Sequence, residues 1–496
     1  MNAEFPWADG VAGPWIGGRF VEGQATLVED HSPSTGELLG RLRLASAAQV
    51  GEAVALAVEA QKAWARKPIR DRADLVEQLA RRVHDNADRL GEVDSRDTGS
   101  PVFPMQETAR KGARYMKALA GSALEMQGRT IPASGSGWHL TKPEPWGVVG
   151  GITAFNHPTH YSCLKSAPAL IAGNAVVIKP SEQAPLSTLL FAELTADLLP
   201  DGLLAILPGD AEAGAALVGH PDVPRITFTG SAHTAAAIQR TVAETGLIKS
   251  LTFELGGKNP IVVFPDVDQD EVATAIVRGM NYMRVQGQSC GSTSRLLIHA
   301  DVKEAIVAKV VERVRQIRVG LPSAPETQMG CLISHAHRDR VLDLIAAGIR
   351  DGATVLTGGE KCADNGLAAG AFMTPAVVDG VRPGTRLWRE EVFGPVLGIT
   401  TWTTESEAVA MANDTEYGLT ASVWSRDIDT ALRVADAIDA GYVWINEVET
   451  RYTGVPFGGW KQSGIGTEQG IVSDLLQFTR PKAINIAVRP DSAAQV

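Results

Sequence analysis

The change of pattern at Gly147 constrains this chain more than any other feature. From there, apolar runs of strand length are each followed by a Gly- or Pro-marked turn and then by an apolar stripe of helical period. Val148 to Ile152, Ala175 to Ile178, Leu203 to Leu207, Arg225 to Thr229 and Ser250 to Phe253 read as strands. Leu186, Leu189, Leu190, Leu194 and Leu198 mark one of the helices between them. Strands that alternate with helices need right-handed crossovers, and these build an open, doubly wound parallel sheet. Such a sheet receives ligands beyond the carboxyl ends of its strands. A second alternating region runs from Asn259 to about Gly441, with strands at Ile261 to Phe264 and Leu296 to Ile298 and helices around Ala305 to Ile317 and Arg338 to Ala347.

The 496 residues leave room for about three domains. The expected class is α/β: a Rossmann-like doubly wound domain, a second α/β domain, and a small protruding sheet. The sheet is expected from Gly128 to Lys142 and Ile471 to Ile486, which alternate weakly and can pair with each other. Leu75, Val76, Leu79, Val83 and Leu90 recur at helical spacing and predict a helical scaffold before Gly147. No internal repeat interrupts this order. A hydrophobic content of 44% with 21% charged residues supports buried cores and excludes intrinsic disorder.

The charge sum of 46 Lys and Arg against 57 Asp and Glu, −11 in all, argues against broad contact with a phosphate backbone, so nucleic acid is not an expected partner. The four cysteines, Cys163, Cys290, Cys331 and Cys362, form no C-x-x-C pair. This predicts neither a disulfide framework nor a metal site, and a reducing, cytoplasmic compartment. No apolar run precedes the first basic residue, Arg19, in the manner of an export signal, and none reaches the length of a membrane span, so neither export nor membrane insertion is expected.

The usual G-x-G-x-x-G is missing. Gly464-Ile465-Gly466 begins such a pattern but reads as a turn. A phosphate can be received instead where Arg225 to Thr229 runs into Gly230-Ser231 and a helix N-terminus; a plain Ser N-cap is the competing reading. Lys179-Pro180-Ser181-Glu182 follows a strand at the edge where a ribose would lie, or is a solvated loop. In Gln286-Gly287-Gln288-Ser289-Cys290-Gly291-Ser292 a cysteine stands among small polar residues. A flexible loop opening towards a helix would expose that sulfur and lower its pKa, whereas the other three cysteines read as inert packing residues. Glu254, directly after a buried strand, is a candidate general base whose pKa burial would raise; a structural hydrogen bond is the alternative.

Seven tracts in order resemble the NAD(P)-dependent aldehyde dehydrogenase superfamily: Phe155-Asn156, Lys179-Pro180-Ser181-Glu182, Phe228-Thr229-Gly230-Ser231, Glu254-Leu255-Gly256-Gly257-Lys258-Asn259-Pro260, Gly287-Gln288-Ser289-Cys290, Glu391-Val392-Phe393-Gly394-Pro395 and Pro456-Phe457-Gly458-Gly459. The resemblance implies that Cys290 attacks an aldehyde, that Asn156 and the Cys290 N–H hold the oxyanion, and that Glu254 activates the water that hydrolyses the thioester. It places cofactor contacts at Thr153, Phe155, Lys179, Ser181, Glu182, Gly230, Ser231, Leu255, Gly256, Glu391 and Phe393. Glu182 suits free ribose hydroxyls and repels a 2′-phosphate, which favours NAD, while Lys179 keeps NADP possible. The implied domains are 1–122 with 146–257 for NAD, 258–470 for catalysis, and 123–145 with 471–496 for oligomerisation as a homodimer or homotetramer. Ala235 in place of a usual Gly, Phe155 in place of Trp, and Gly466-Thr467-Glu468 in place of Gly-Arg-Glu depart from the pattern.

By the same resemblance, the substrate tunnel is lined by His157, His160, Tyr161, Arg284, Ser289, Gly291, Arg451, Tyr452 and Phe457. Its polarity and two arginines predict a small-molecule aldehyde with a polar or acidic tail, such as a semialdehyde, or an aromatic one. Internal pairing of the arginines with Glu447 or Glu449 is the alternative. A CoA-acylating dehydrogenase, which would not need Glu254, and a catalytically idle member of the fold are the competing functions.

Overall fold

The computed structural model describes residues 10–132, 137–363 and 366–487. Parts of the expected segments 1–122, 123–145, 258–470 and 471–496 therefore lie outside the described residues. Five parallel strands form the centre of the first sheet in the spatial order Ser250–Glu254, Arg225–Thr229, Val148–Ile152, Ala175–Lys179, Leu204–Ile206. Every residue of Val148–Ile152, Ala175–Lys179 and Arg225–Thr229 is buried. Helices cover both faces, which is why these strands read as continuous apolar runs and not as alternating ones. The sequence order reverses between Val148–Ile152 and Arg225–Thr229, so the loops leaving these two strands diverge and open a crevice at the sheet's carboxyl edge.

Short antiparallel strands close this sheet. Trp15–Ile16 pairs with Leu204–Ile206 on one side. On the other, Gly464–Ile465 pairs with Phe253 and Glu254. The expected turn at Gly464 is thus an edge strand, and a piece of the segment assigned to the second domain completes the first sheet. Main-chain pairing of two residues satisfies the open edge without leaving any side-chain periodicity to read.

The helical run expected through Leu75 to Leu90 is two helices, Ile69–Asp85 and Ala87–Thr98. Asn86 breaks it, with its side-chain amide donating to the Arg82 carbonyl at 2.8 Å. The next helix, Val102–Gly121, packs on Pro158–Ile171, which follows the first strand of the sheet.

The second sheet has the order Thr354–Thr357, Ala376–Asp379, Val396–Trp402, Arg295–His299, Pro260–Val263, Thr420–Trp424, Tyr442–Ile445, and only its Thr354–Thr357 edge is antiparallel. Alternate residues serve opposite faces: Ile261 and Val263 join the core under Gln269–Gly279 and Ala300–Arg315, and Val262 joins the core under His335–Arg350. A third, antiparallel sheet pairs Gly137–Pro145 with Thr479–Ala487 along their full length, so the two weakly alternating segments do meet. Helix Val472–Gln477 is the exception in that tail. Ile471, Leu475 and Phe478, at i, i+4 and i+7, belong to the core of the first sheet. Among the described residues no helix is long and apolar enough to cross a membrane.

Residues 255–259 carry the chain from the first sheet to the second, between Glu254 and Pro260. The loop bearing Cys290 lies against this crossing.

Candidate active site

Cys290 follows the short helix Tyr282–Val285, whose flanks, Asn281 (φ 56°) and Gln286 (φ 54°), are both left-handed. Such backbone is costly for residues other than glycine and persists only where surrounding contacts hold it. The expected opening towards a helix is incorrect: the loop leads into strand Arg295–His299. It is also not a flexible loop. Asn259 Nδ2 donates to the carbonyls of Cys290 (2.7 Å) and Ser292 (2.8 Å), and its Oδ1 accepts from the Thr420 N–H at 3.0 Å. Asn156 Nδ2 donates to the Gln288 carbonyl at 2.8 Å, and the Gln288 side chain accepts from the Ile333 N–H at 3.0 Å.

The expected lowering of the Cys290 pKa needs correction too. The residue is half-buried, and packing around its sulfur pushes the thiol up; the Arg451 guanidinium opposes that shift. Cys163 and Cys331 are fully buried, and burial raises both thiols.

Glu254 is the last residue of its strand and 5% exposed. Among the described residues neither carboxylate oxygen has a hydrogen-bond partner. Burial, and then the charge of Glu468, hold its pKa well above the usual carboxylate range. Glu468 itself pairs with the fully buried Lys165 and accepts from Thr227 Oγ1 at 3.0 Å. Lys165 hides within a helix that is buried on every side, so no pattern in the sequence sets it apart.

The crevice at the carboxyl edge of the first sheet is a cavity of about 660 Å³ lined by all the residues expected to hold the cofactor, together with Asn156, Tyr161, Glu254 and Cys290. Lys179 and Glu182 face each other at 3.2 Å, and Ser231 caps helix Ala232–Thr245 by accepting from the Thr234 N–H. Capping does not exclude a ligand there, because other N–H groups of the first turn stay unpaired. Glu391 accepts from the Gly257 N–H at 2.9 Å and burial raises its pKa to about 7. Phe393, itself left-handed at φ 52°, meets the ring of Phe155 edge to face, and its carbonyl contacts His337 Nε2 at 2.7 Å. Charge, hydroxyl and free N–H at one end, with a carboxylate and two rings at the other, fit an elongated dinucleotide. Ala235 is buried in the core, not in the cavity wall. Gly214, Val218, Ile238 and Arg340 also line the cavity and were not legible beforehand.

On its other side Cys290 opens into a chamber of only about 40 Å³, which His157, His160, Tyr161, Arg284, Ser289, Gly291 and Arg451 line as expected. The chamber shares Lys111, Asn281, Arg284, Glu449 and Arg451 with a vestibule of about 510 Å³. Phe457 lies beneath, buried, with the Arg451 guanidinium 3.7 Å above its ring centroid. Tyr452 does not belong to the tunnel. It is 53% exposed and donates to Glu447 at 2.8 Å, because its hydroxyl finds that partner on the outer surface. Arg284 pairs with Glu449 at 3.1 Å, so internal pairing holds for this arginine; Arg451 pairs with no carboxylate among the described residues.

Lys111 was missed by sequence reasoning. It stands three residues after Thr108 and four before Tyr115, a cation beside the buried stripe of helix Val102–Gly121, and that placement was the available signal. Burial, and then Arg451 and Arg284, pull its amine down to about 7. Burial and the same cations hold His157 and His160 well below the usual imidazole range, so both are neutral at neutral pH. Among the described residues no group of three His, Cys, Asp or Glu could hold a metal ion.

The profile of the Aldehyde dehydrogenase family matches residues 20–484. The chain is 39% identical to "Aldehyde dehydrogenase tropH" of Talaromyces stipitatus over 465 residues, 92% of this chain and 90% of that protein. The fold superposes with a TM-score of 0.93 on PnpE in complex with nicotinamide adenine dinucleotide, at 36% identity over 97% of this chain and 99% of that one, and with the same score on PnpE from Pseudomonas sp. WBC-3, at 35% identity over 98% of this chain and 99% of that one. It superposes equally, at 0.93, on the NAD+ complex of an aldehyde dehydrogenase from Bacillus cereus, at 34% identity over 97% of both chains.

Asn259→Ala would leave the Cys290 carbonyl and the Thr420 N–H unpaired and remove one of the two donors to the Ser292 carbonyl, which also accepts from the Ser294 N–H, at about 1–3 kcal/mol for each group left buried and unpaired. The expected outcome is a lower urea midpoint together with a roughly 10-fold to 100-fold fall in turnover as the thiol loses its position. A variant of normal turnover would show that the clamp does not set the loop.

Proposed function

The chain belongs to the aldehyde dehydrogenase family and is an NAD(P)-dependent aldehyde oxidoreductase, and from that premise we propose NAD-dependent oxidation of an anionic or polar-tailed aldehyde to its acid, with Cys290 as nucleophile. One observation carries the reading: Cys290 forms the boundary between the large dinucleotide-fitting cavity and the small chamber, with Asn156 and Glu254 in the same wall. Cys290 Sγ attacks the carbonyl carbon and forms a thiohemiacetal. Asn156 has spent one N–H on Gln288, so its second N–H and the Cys290 N–H are the donors for the oxyanion. NAD, when bound, supplies the hydride acceptor that turns this adduct into a thioester. Lys179, Ser181 and Glu182 would hold its adenosine ribose, Gly230 and Ser231 its pyrophosphate, and Glu391 with Phe393 the nicotinamide end, between walls formed by Thr153, Phe155, Leu255 and Gly256. Glu182 disfavours a 2′-phosphate, hence NAD before NADP.

Glu254 then takes a proton from water, the hydroxide adds to the thioester, and the carboxylic acid leaves as Cys290 is restored. A buried carboxylate with no hydrogen-bond partner among the described residues supports hydrolysis over transfer to coenzyme A. The same division of labour assigns the first sheet to cofactor binding and the second to catalysis.

Glu254→Gln should release a burst of about one NADH per active site and then stall as the acyl-enzyme accumulates, while Cys290→Ala gives no burst. Steady turnover by Glu254→Gln that accelerates with coenzyme A would instead favour the acylating reaction.

The substrate's tail is read from charge. Lys111 and Arg451 have no carboxylate partner among the described residues, and Glu449 is taken by Arg284 and Arg278. A free carboxylate would satisfy both cations. Lys111→Met should lower kcat/KM for a semialdehyde about 10-fold more than for a neutral aldehyde of matched length. Lys111 loses its charge as pH rises through about 7, so the preference for the anionic aldehyde should fall from pH 6 to pH 8 in the wild type and stay flat in the variant. Equal losses for both aldehydes would refute the assignment.

Homo-oligomer formation, as dimer or tetramer, is supported by the third sheet, on which Ile131, Trp138, Ile484 and Ile486 are exposed. Light scattering should give a multiple of 52.6 kDa, and a monomer would contradict it. A reducing compartment such as the cytoplasm suits a nucleophilic thiol that oxidation would inactivate.

A further inference from the structure

Arg451 stands where the vestibule, the chamber and the thiol meet. One face of its guanidinium lies 3.7 Å above the Phe457 ring centroid, and Nη2 points at Cys290 Sγ from 3.7 Å. No carboxylate draws it away: Glu449 is engaged by Arg284 and Arg278, and Glu447 accepts from Tyr452. The neighbouring glycine belongs to the same arrangement. Gly291 has no positive φ, so its backbone does not require glycine, yet a Cβ there would meet Arg451 Nη2 at 2.8 Å with nothing else closer than 3.9 Å. The missing side chain leaves room for the guanidinium.

We propose that Arg451 is the counter-ion that stabilises the Cys290 thiolate against the burial that opposes it, a catalytic role distinct from any contact it makes with substrate. This rests on the reading of Cys290 as nucleophile. The step is an ionisation: the S–H bond breaks, the proton passes to solvent, and the electron pair stays on sulfur. The groups facing the sulfur come from four elements. Glu254 ends strand Ser250–Glu254, Glu391 follows helix Arg386–Arg389, Tyr161 lies in helix Pro158–Ile171, and Arg451 follows strand Tyr442–Ile445. Burial and the two carboxylates oppose the thiolate, and Arg451 is the group that favours it. A guanidinium suits the task because it keeps its charge at any working pH and can stack on an aromatic face while its edge donates to an anion.

The test is a pH titration of the thiolate by its ultraviolet absorbance in the free enzyme, with Cys290→Ala subtracted to remove the other cysteines, and the iodoacetamide alkylation rate followed in parallel. Arg451→Gln should move the midpoint up by about one unit, equivalent to roughly tenfold slower alkylation at neutral pH, and Arg451→Lys should recover part of the shift. Arg451→Met, which removes the charge without adding a polar group, should shift it in the same direction. A midpoint unmoved in whichever of the Gln and Met variants folds overturns the proposal. If Cys290→Ala still forms NADH from an aldehyde, the nucleophile reading itself fails, whatever the midpoint does. These two failures are therefore distinguishable.

Discussion

The side chain of Asn259 is the interaction on which the site depends. It sits 2% exposed at the end of the crossing between the two sheets, and its amide makes three hydrogen bonds: two donations to the Cys290 and Ser292 carbonyls and one acceptance from Thr420. Its own carbonyl accepts from Arg295, the first residue of the strand after the Cys290 loop. One residue thus ties the Cys290 loop to the start of three strands of the second sheet, five residues from the strand end that carries Glu254. A buried amide in such a network is costly to rearrange, and the chain leading into the same loop keeps Asn281 and Gln286 in left-handed backbone.

The two sides of Cys290 differ in charge. Towards the first sheet lie Glu254 and Glu391, both carboxyls raised by burial. Towards the vestibule lie Lys111, Arg284 and Arg451 against Glu449, with two neutral imidazoles between. A molecule of net charge −11 therefore carries a cationic entrance to its chemistry. Net charge reports solubility and long-range steering, whereas the field at a buried site is set by the few charges lining it.

Much of this was legible before any coordinates. The parallel strands of the first sheet announced themselves because strands buried on both faces read as unbroken apolar runs, and the pockets at their carboxyl ends follow from that topology. Glu254 was legible for a physical reason as well, since a carboxylate at the end of such a run is expensive without a function. The two-residue strand Gly464–Ile465 was not, because main-chain pairing at an edge asks nothing of the side chains. Nor was Lys111, which lies in a helix far from the motifs and enters the tunnel only because Val102–Gly121 packs against Pro158–Ile171.

What the sequence determined by itself was the order of elements, the family they belong to, and which residue types were available for chemistry. Only the tertiary structure decided how those groups affect one another. It paired Arg284 with Glu449 and left Arg451 for the thiol, turned Tyr452 outward, and raised the Cys290 pKa where a polar, flexible loop had suggested the opposite. Periodicity and motif spacing are local properties of a chain, but charge pairing and desolvation depend on distances between segments far apart in sequence, and those distances exist only once the chain has packed.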